Sequence, residues 1–303
     1  MSSEEMDMAT NHEIQASALA RIFSASVLKE LATRGRSPAL ARLIRECGLE
    51  IDHQSDLRIG SVFDQAFDRF RLRAHRHEYI YKAALTEKVL LGIHSLNTAS
   101  MITEFRVGPC KADVVILNGT GTVYEIKSER DSLSRLSRQI DAYSKVFATV
   151  NVIVGENHLN GLKNALPDHV GILVLTDRYR VRTIRTAIDD PGRTKPDAIF
   201  DAVNQNEAAR ILKKAGIDVP DGPNIQRFGV MRELFKELDA TTAHCHMVET
   251  LKKTRHLRPL KELLDQIPSS LFAATISASL RQKDQIKLVS ALSTPIREAM
   301  TWG

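Results

Sequence analysis

Apolar residues recur three or four positions apart through residues 14–72, the spacing that gathers them on one face of a helix. Ser37 followed by Pro38 is typical of a helix start, because serine caps free backbone amides and proline fits the first turn. These patterns predict a helical N-terminal cap over residues 1–74. A helix-turn-helix over residues 18–48 is the less favoured interpretation of the same helices.

The apolar spacing changes to that of strands after a helix predicted for residues 78–91. Three short extended runs follow, at residues 101–107, 112–117 and 122–126. Asn118-Gly119 lies between the last two runs, and both residue types tolerate the positive φ of a tight hairpin turn. The pattern therefore predicts an antiparallel three-stranded meander.

Helical and extended segments alternate beyond the meander. Helices are predicted at residues 132–147 and 159–165, and strands at residues 150–154, 171–175 and 178–184. Such alternation is typical of an α/β layer, so we expect a mixed-sheet α/β core over residues 75–188. A linker after Asp189 leads into further helical patterns, which predict a helical C-terminal domain over residues 189–303.

Composition narrows the class of protein. Hydrophobic residues make up 43% of the chain, which is enough for a packed core and argues against disorder. The net charge of +5 permits a polyanionic partner without requiring one. Three scattered cysteines, no readable signal peptide and no apolar run of bilayer length favour a cytoplasmic protein with no membrane partner.

Three residues of the predicted meander have the chemistry of a metal-dependent hydrolase. Glu125 and Lys127 stand two apart and project from one face of the third strand, beside Asp113 on the second. Facing carboxylates favour a cation between them, and Mg²⁺ or Mn²⁺ would also accept the carbonyl oxygen of Ile126. Lys127 could then orient or deprotonate the attacking water. The alternative is that Asp113 caps a turn and that Glu125 and Lys127 form a solvated pair.

The stretch KADVVILNGTGTVYEIKSE resembles the core motif of the PD-(D/E)XK nuclease superfamily, with Asp113, Glu125 and Lys127 at its three positions. Gln139 and Tyr143, in RQIDAY, are similar to a Gln-xxx-Tyr signature of recombination-nuclease-like branches. More narrowly, the segment looks like an unassigned bacterial family of nuclease-like proteins. The resemblance implies a restriction-endonuclease-like fold, metal binding by the two acidic residues and assistance of the water by the lysine.

The resemblance also implies an acidic residue on the preceding helix. Glu78 in HEYIYKAAL is the favoured residue, with Glu87 and Glu104 as substitutes. Arg135 lies one helical turn before Gln139 on the same stripe and is a candidate contact for nucleic acid.

The function implied by the resemblance is hydrolysis of phosphodiester bonds, with DNA as the expected substrate and bacterial defence against foreign DNA as the expected role. The alternative is a catalytically inactive nuclease fold that serves as a nucleic-acid-binding or protein-interaction module. The helical regions could support a homo-oligomer or a partner protein.

Basic residues outside the motif give weaker signals. Arg178, Arg180 and Arg182 alternate in a predicted strand, so that one face would be cationic and could contact phosphates. Two further basic clusters are more simply explained as solvated surfaces: Arg69, Arg71, Arg73, His75, Arg76 and His77, and then Lys252, Lys253, Arg255, His256 and Arg258. His244-Cys245-His246 lacks a second pair of ligands and is expected to be structural rather than a zinc site.

Overall fold

The computed structural model describes residues 14–49, 56–72, 76–162, 165–219, 221 and 223–302. They divide between two compact units. The first unit combines the described parts of Met1–Glu87 and Pro259–Gly303, and the second is the described part of Lys88–Arg258. The three-domain division stays a prediction, since these units show how the chain packs and not which segments fold alone.

Helices and strands follow one another in mixed order. The helices are α1 (residues 14–22), α2 (Ala25–Arg34), α3 (Pro38–Glu46), α4 (Ile59–Phe70), α5 (Glu78–Ala84), α6 (Leu91–Ile93), α7 (Leu136–Ser144), α8 (Leu159–Leu162), α9 (Pro196–Ala202), α10 (Gln205–Lys214), α11 (Asn224–Lys236), α12 (Ala240–Thr254), α13 (Lys261–Leu264), α14 (Phe272–Ala278), α15 (Gln282–Leu292) and α16 (Ile296–Ala299). The strands are β1 (Ser100–Val107), β2 (Cys110–Asn118), β3 (Thr120–Lys127), β4 (Thr149–Gly155), β5 (Gly171–Leu175) and β6 (Val181–Arg185). A π-helical segment, Leu85–Leu90, joins α5 to α6, so the helix predicted for residues 78–91 is one interrupted run.

The first unit brings helices from both ends of the sequence together. Ser37 Oγ accepts a hydrogen bond from the Leu40 amide at 3.0 Å and Pro38 opens α3, as the sequence predicts. The buried face of α2, which includes Leu28 and Leu31, packs against α14 and α15. The apolar stripe of an early helix is therefore covered by the last part of the chain.

The second unit is built on a six-stranded mixed sheet in the order β1-β2-β3-β4-β5-β6. The first three strands form the predicted antiparallel meander, β4 and β5 add in parallel, and β6 pairs antiparallel with β5. The hairpin between β2 and β3 turns at Gly119, whose φ is +73°. The mixed α/β class is confirmed.

Helices cover the sheet and complete its core. The helix α7 packs on β2 and β4, while α12 packs on β2 and β3. Their apolar side chains, including Ile140 of α7 and Met247 of α12, are buried in one core with those of the strands. None of the helices in the described ranges combines the length and hydrophobicity that a bilayer crossing requires.

The sixth strand begins later than the sequence predicts. Arg178 and Arg180 lie in the turn that precedes it, and Arg182 lies within it. The turn is closed by hydrogen bonds from the Thr176 amide to the Arg180 carbonyl and from the Tyr179 amide to the Thr176 carbonyl, both 2.9 Å. Tyr179 is buried there at φ +56°, which extended backbone does not allow. The prediction that these three arginines form one cationic face of a strand is therefore wrong, although all three are exposed.

Candidate active site

Asp113 lies where β2 and β3 begin to separate. The ladder between these strands starts at Val114↔Tyr124, and extending its register by one residue places Asp113 opposite Glu125. Directly opposed residues of antiparallel strands point to the same face of the sheet. Instead of a main-chain ladder bond, the Ile126 amide donates to Asp113 Oδ2 at 2.7 Å. The aspartate therefore holds the two strands together at the edge of their separation.

Glu125 and Lys127 form a buried ion pair on that face. Lys127 Nζ lies 2.8 Å from Glu125 Oε1, and the side chains are 6% and 2% exposed, respectively. Charges of this kind are costly to bury unless they are paired and hydrogen-bonded. The structure thus rejects the solvated-pair alternative for these two residues.

Gln139 connects the pair to α7. Its Oε1 accepts from Lys127 Nζ at 3.0 Å, and its Nε2 donates to Glu125 Oε1. Because an amide carries both a donor and an acceptor, one side chain satisfies both members of the pair. Gln139 therefore fixes the separation and direction of the two charged groups.

Tyr143 occupies the next turn of α7 and is fully buried. Its hydroxyl can donate to Glu125 Oε2 at 2.8 Å or to the Lys111 carbonyl at 2.9 Å. Burial raises the pKa of Tyr143 far above its usual range, and the charges of Glu125 and Asp113 raise it further. The residue therefore stays a neutral donor, and it is not an acid for chemistry near neutral pH.

Glu104 lies on β1, which pairs with β2 on the side opposite to β3, and its carboxylate is close to that of Asp113. Its φ is +58°, and it interrupts the ladder between Thr103↔Val114 and Phe105↔Ala112. One carboxylate oxygen of Glu104 lies within 4.8 Å of one from Asp113. Glu104 also forms an ion pair with Lys111, which is 61% exposed. The sequence interpretation named Glu104 as a substitute for Glu78. No local sequence feature indicates the left-handed backbone of Glu104.

The favoured acidic residue of the preceding helix lies in the first unit. Glu78 begins α5 and pairs with Lys82 at 2.6 Å, while Glu87 lies in the π-helical segment Leu85–Leu90. Participation of Glu78 in the site stays a prediction.

Polar residues that the sequence interpretation did not assign to the site follow β3 and β4. Ser128 is buried, and its amide and hydroxyl both donate to Asp131 Oδ2, at 2.8 and 2.6 Å. The Nε2 of His158 lies 2.9 Å from the Ser128 carbonyl oxygen. β3 and β4 are parallel, so their carboxyl ends meet at one edge of the sheet and bring these residues together. Only this pairing, which the sequence does not specify, could have indicated them.

The donor set at the separation of β2 and β3 suits a hard divalent cation. Asp113 and Glu104 offer carboxylate oxygens that lie within 4.8 Å of one another, and Glu125 lies opposite Asp113 by the strand register. Mg²⁺ prefers such oxygens, together with main-chain carbonyls of the kind expected from Ile126. Both oxygens of Glu125 already accept hydrogen bonds, so cation binding there would exchange ligands with Lys127 or Gln139.

Other basic residues fall into supporting and exposed groups. Arg135 precedes α7 and is exposed, and its contact with nucleic acid stays a prediction. In the first basic cluster, Arg69 donates to the Gly48 carbonyl and the buried Arg76 to the Arg71 carbonyl, so both support local structure. Arg73 and His75 lie outside the described residues.

His244 is structural, in agreement with the sequence interpretation. It is buried, and its Nε2 accepts a hydrogen bond from the Ala148 amide at 3.3 Å. Burial lowers the pKa of His244 to about 4, so the ring is neutral near neutral pH. Its neighbour Cys245 is exposed, so the two side chains do not share one environment.

Comparison with known proteins identifies the family. A family model described as "Bacteriophage P4 protein cII" matches residues 72–284, more than half of the chain. The chain belongs to this bacteriophage P4 cII family. The matched range takes in all of β1–β6 and therefore Asp113, Glu125 and Lys127.

Outside the P4 cII family the comparisons are sparse. No curated protein matches the chain. A solved structure, the SPO1766 protein of unknown function from Silicibacter pomeroyi, matches with a TM-score of 0.27 and 21% identity, over 39% of this chain and 81% of that one. At this TM-score the similarity says nothing about fold or function.

Proposed function

We propose that this P4 cII family member is a divalent-metal-dependent phosphodiesterase of the PD-(D/E)XK type, acting on nucleic acid with DNA as the expected substrate. One observation carries the proposal: Asp113 and the buried Glu125–Lys127 pair share a face where β2 and β3 separate. In this view the mixed sheet with α7 across it is a restriction-endonuclease-like core. A role in defence rests on the same resemblance.

Asp113, Glu125 and the Ile126 carbonyl are the groups that would hold Mg²⁺ or Mn²⁺, with Glu104 beside Asp113 as a further ligand. Such an ion supplies Lewis acidity, which acidifies water and offsets the charge of a phosphate. The backbone of Glu104 favours a functional interpretation, because a left-handed non-glycine residue costs about 1–3 kcal/mol and is concentrated at functional sites.

Lys127 is the proposed catalytic cation. Its Nζ can orient the attacking water by hydrogen bonding and can offset negative charge that develops on the phosphate. Gln139 holds that ammonium group at 3.0 Å, and the Tyr143 hydroxyl can donate to Glu125 Oε2 at 2.8 Å. These two residues position the reacting groups and do not themselves transfer protons.

Cleavage assays with matched variants test the proposal. Plasmid, single-stranded DNA and RNA are incubated with the protein in Mg²⁺, Mn²⁺ or EDTA. Asp113→Ala and Lys127→Ala should reduce cleavage by at least about 100-fold, in line with the loss of a group that stabilises the transition state. Asp168→Ala and Lys145→Ala, at exposed positions of the second unit, should cleave like the wild type. Cleavage that persists in EDTA, or in Asp113→Ala, would contradict the proposal.

A second candidate function is a nuclease-like fold that binds nucleic acid or protein without cleaving it. The observation that favours it is the closure of the Glu125 network: the residue is 1% exposed and both oxygens have donors. This alternative predicts that Mn²⁺ gives no thermal stabilisation of the wild type relative to Asp113→Ala. The enzymatic proposal expects about 2.7 kcal/mol of stabilisation when Mn²⁺ reaches 100 times its Kd.

A further inference from the structure

A basic groove lies in the second unit, and its lining includes none of the residues assigned to cleavage. Its volume is about 710 Å³. Residues 96–99 form one wall, and Glu249, Lys252, Lys253, His256 and Arg258 lie along the other. We propose that this groove binds the phosphate backbone of nucleic acid.

The charge of the groove favours an anion. Lys252, Lys253 and Arg258 are basic residues of the lining, while Glu249 is its acidic residue. Glu249 also forms an ion pair with Lys214, and the hydrogen bond from Lys214 lowers the pKa of Glu249. The charge of Lys253 also lowers the pKa of Glu249, so the carboxylate offsets part of the lining's charge. Lys252, Lys253 and Arg258 against Glu249 still leave the lining with a net positive charge.

The two walls are fixed to each other by hydrogen bonds. Ser100 Oγ donates to the Arg255 carbonyl at 2.5 Å, and Arg258 donates to the Asn97 carbonyl at 3.4 Å. Within the loop wall, the Ser95 amide donates to Thr98 Oγ1 and the Ala99 amide donates to the Ser95 carbonyl. Binding therefore requires little ordering of the backbone, which lowers its entropic cost.

Arg255 anchors the wall of the groove that follows α12 to the core of the second unit. Its guanidinium donates to both oxygens of Glu207, at 2.9 and 2.8 Å, and it lies 5.1 Å from the ring centroid of Phe105. Burial acts to raise the pKa of Glu207, but the hydrogen bonds from Arg255 and Thr254 help to lower it overall. Arg255 is thus committed to structure, while Lys252 and Lys253 remain directed to the groove.

Helix polarity offers a competing explanation for two of the cations. Lys252 and Lys253 lie in the last turn of α12, where positive charge offsets the partial negative charge of the helix end. This interaction is worth about 0.3–1 kcal/mol for an exposed residue. It does not account for His256 and Arg258, which follow the helix and line the same space.

The groove lies within reach of the candidate active site along β1. Ser100 begins the strand and Glu104 lies four residues further on, roughly 13 Å at about 3.3 Å per residue. That distance corresponds to about four base pairs of duplex. A nucleic-acid backbone held in the groove could therefore continue towards Asp113. This connection to the candidate active site rests on the proposed function, whereas binding in the groove does not.

Fluorescence anisotropy with labelled single-stranded and duplex DNA tests the groove. The assay is done in EDTA, between about 50 and 200 mM salt, so that cleavage does not enter. Lys252→Ala/Lys253→Ala should lower the salt slope for duplex by about 1.8 and weaken binding up to about 60-fold near 0.1 M salt, because each phosphate contact contributes about 0.9 to the slope. Lys29→Ala/Lys283→Ala removes the same charge from exposed positions of the first unit and should bind like the wild type.

The outcomes separate the groove from the catalytic proposal. Asp113→Ala should bind as well as the wild type and fail to cleave. Equal binding by the two double variants would overturn the groove proposal, even if cleavage depends on Asp113. So would competition by polyglutamate as strong as that by unlabelled DNA, since the groove would then accept any polyanion. Absence of cleavage by the wild type in both Mg²⁺ and Mn²⁺, with groove-dependent binding intact, would overturn the enzymatic proposal and leave the groove proposal standing.

Discussion

Replacing Lys127 with methionine removes the cation from the buried pair while keeping most of its volume. Glu125 would then be a carboxyl group at 2% exposure with two remaining donors, Gln139 and Tyr143. Breaking a buried pair usually costs about 3–5 kcal/mol. Because two donors remain, we expect the lower end, about 3 kcal/mol.

The same reasoning predicts that a second substitution restores stability. In Lys127→Met/Glu125→Gln both charges are absent, and the new amide can still accept from Tyr143. Since replacing a buried pair by neutral groups of similar volume is often nearly neutral, the double variant should lie within about 1 kcal/mol of the wild type. Under the proposed function, neither variant should cleave.

Urea denaturation followed by circular dichroism measures both effects, and a thermal scan provides a second readout. For a unit of the size of Lys88–Arg258, about 3 kcal/mol corresponds to a fall in Tm of roughly 6–12 °C. Lys145→Met, at an exposed position, is the control and should change stability by less than about 0.5 kcal/mol. If Lys127→Met is no less stable than Lys145→Met, or if the double variant is less stable than the single, the energetic account of the pair is refuted.

Two further predictions concern the frame around the site. The pKa of His244 is lowered from 6.5 to about 4, so the unfolded chain binds the proton first, and the stability of the folded protein is fully present above pH 6.5 and is lost as pH falls towards 4. The variant His244→Gln should remove roughly 3 kcal/mol of that pH dependence, measured as urea midpoints at several pH values. If the ring were solvated, the midpoints of the variant and the wild type would show the same pH dependence. Gly119→Ala should destabilise the protein by about 1–2 kcal/mol, because the φ of Gly119 is +73°. The control Gly161→Ala, whose added Cβ meets nothing within 4 Å, should change stability little. Equal melting temperatures of the two variants would contradict the assigned turn.

Local patterns were sufficient for the elements that carry the site. Asn118-Gly119 predicted the hairpin, and strand alternation predicted the common face of Glu125 and Lys127, because both follow from backbone geometry alone. The register that sets Asp113 opposite Glu125 follows from the short turn. Gln139 and Tyr143 were identified through their resemblance to a Gln-xxx-Tyr signature, on a helix that the apolar pattern also predicted.

The parts that could not be predicted depend on contacts between distant segments. The left-handed backbone of Glu104 arises where the β1–β2 ladder is interrupted, and its sequence context gives no sign of it. The turn before β6 places the buried Tyr179 at a positive φ, and this ends the cationic alternation expected from residues 178–182. Helical periodicity at the end of the chain showed apolar faces but not that α14 and α15 cover α2.

The interleaved composition of the first unit has a consequence for biosynthesis. Lys88–Arg258 leaves the ribosome as one continuous stretch, so its sheet and helices can assemble as soon as they emerge. The helix α2 emerges earlier, yet α14 and α15, which pack on its buried face, are translated only after that stretch. During elongation the apolar face of α2 is therefore exposed on the nascent chain. In this interval, binding by chaperones or aggregation would compete with folding of the first unit.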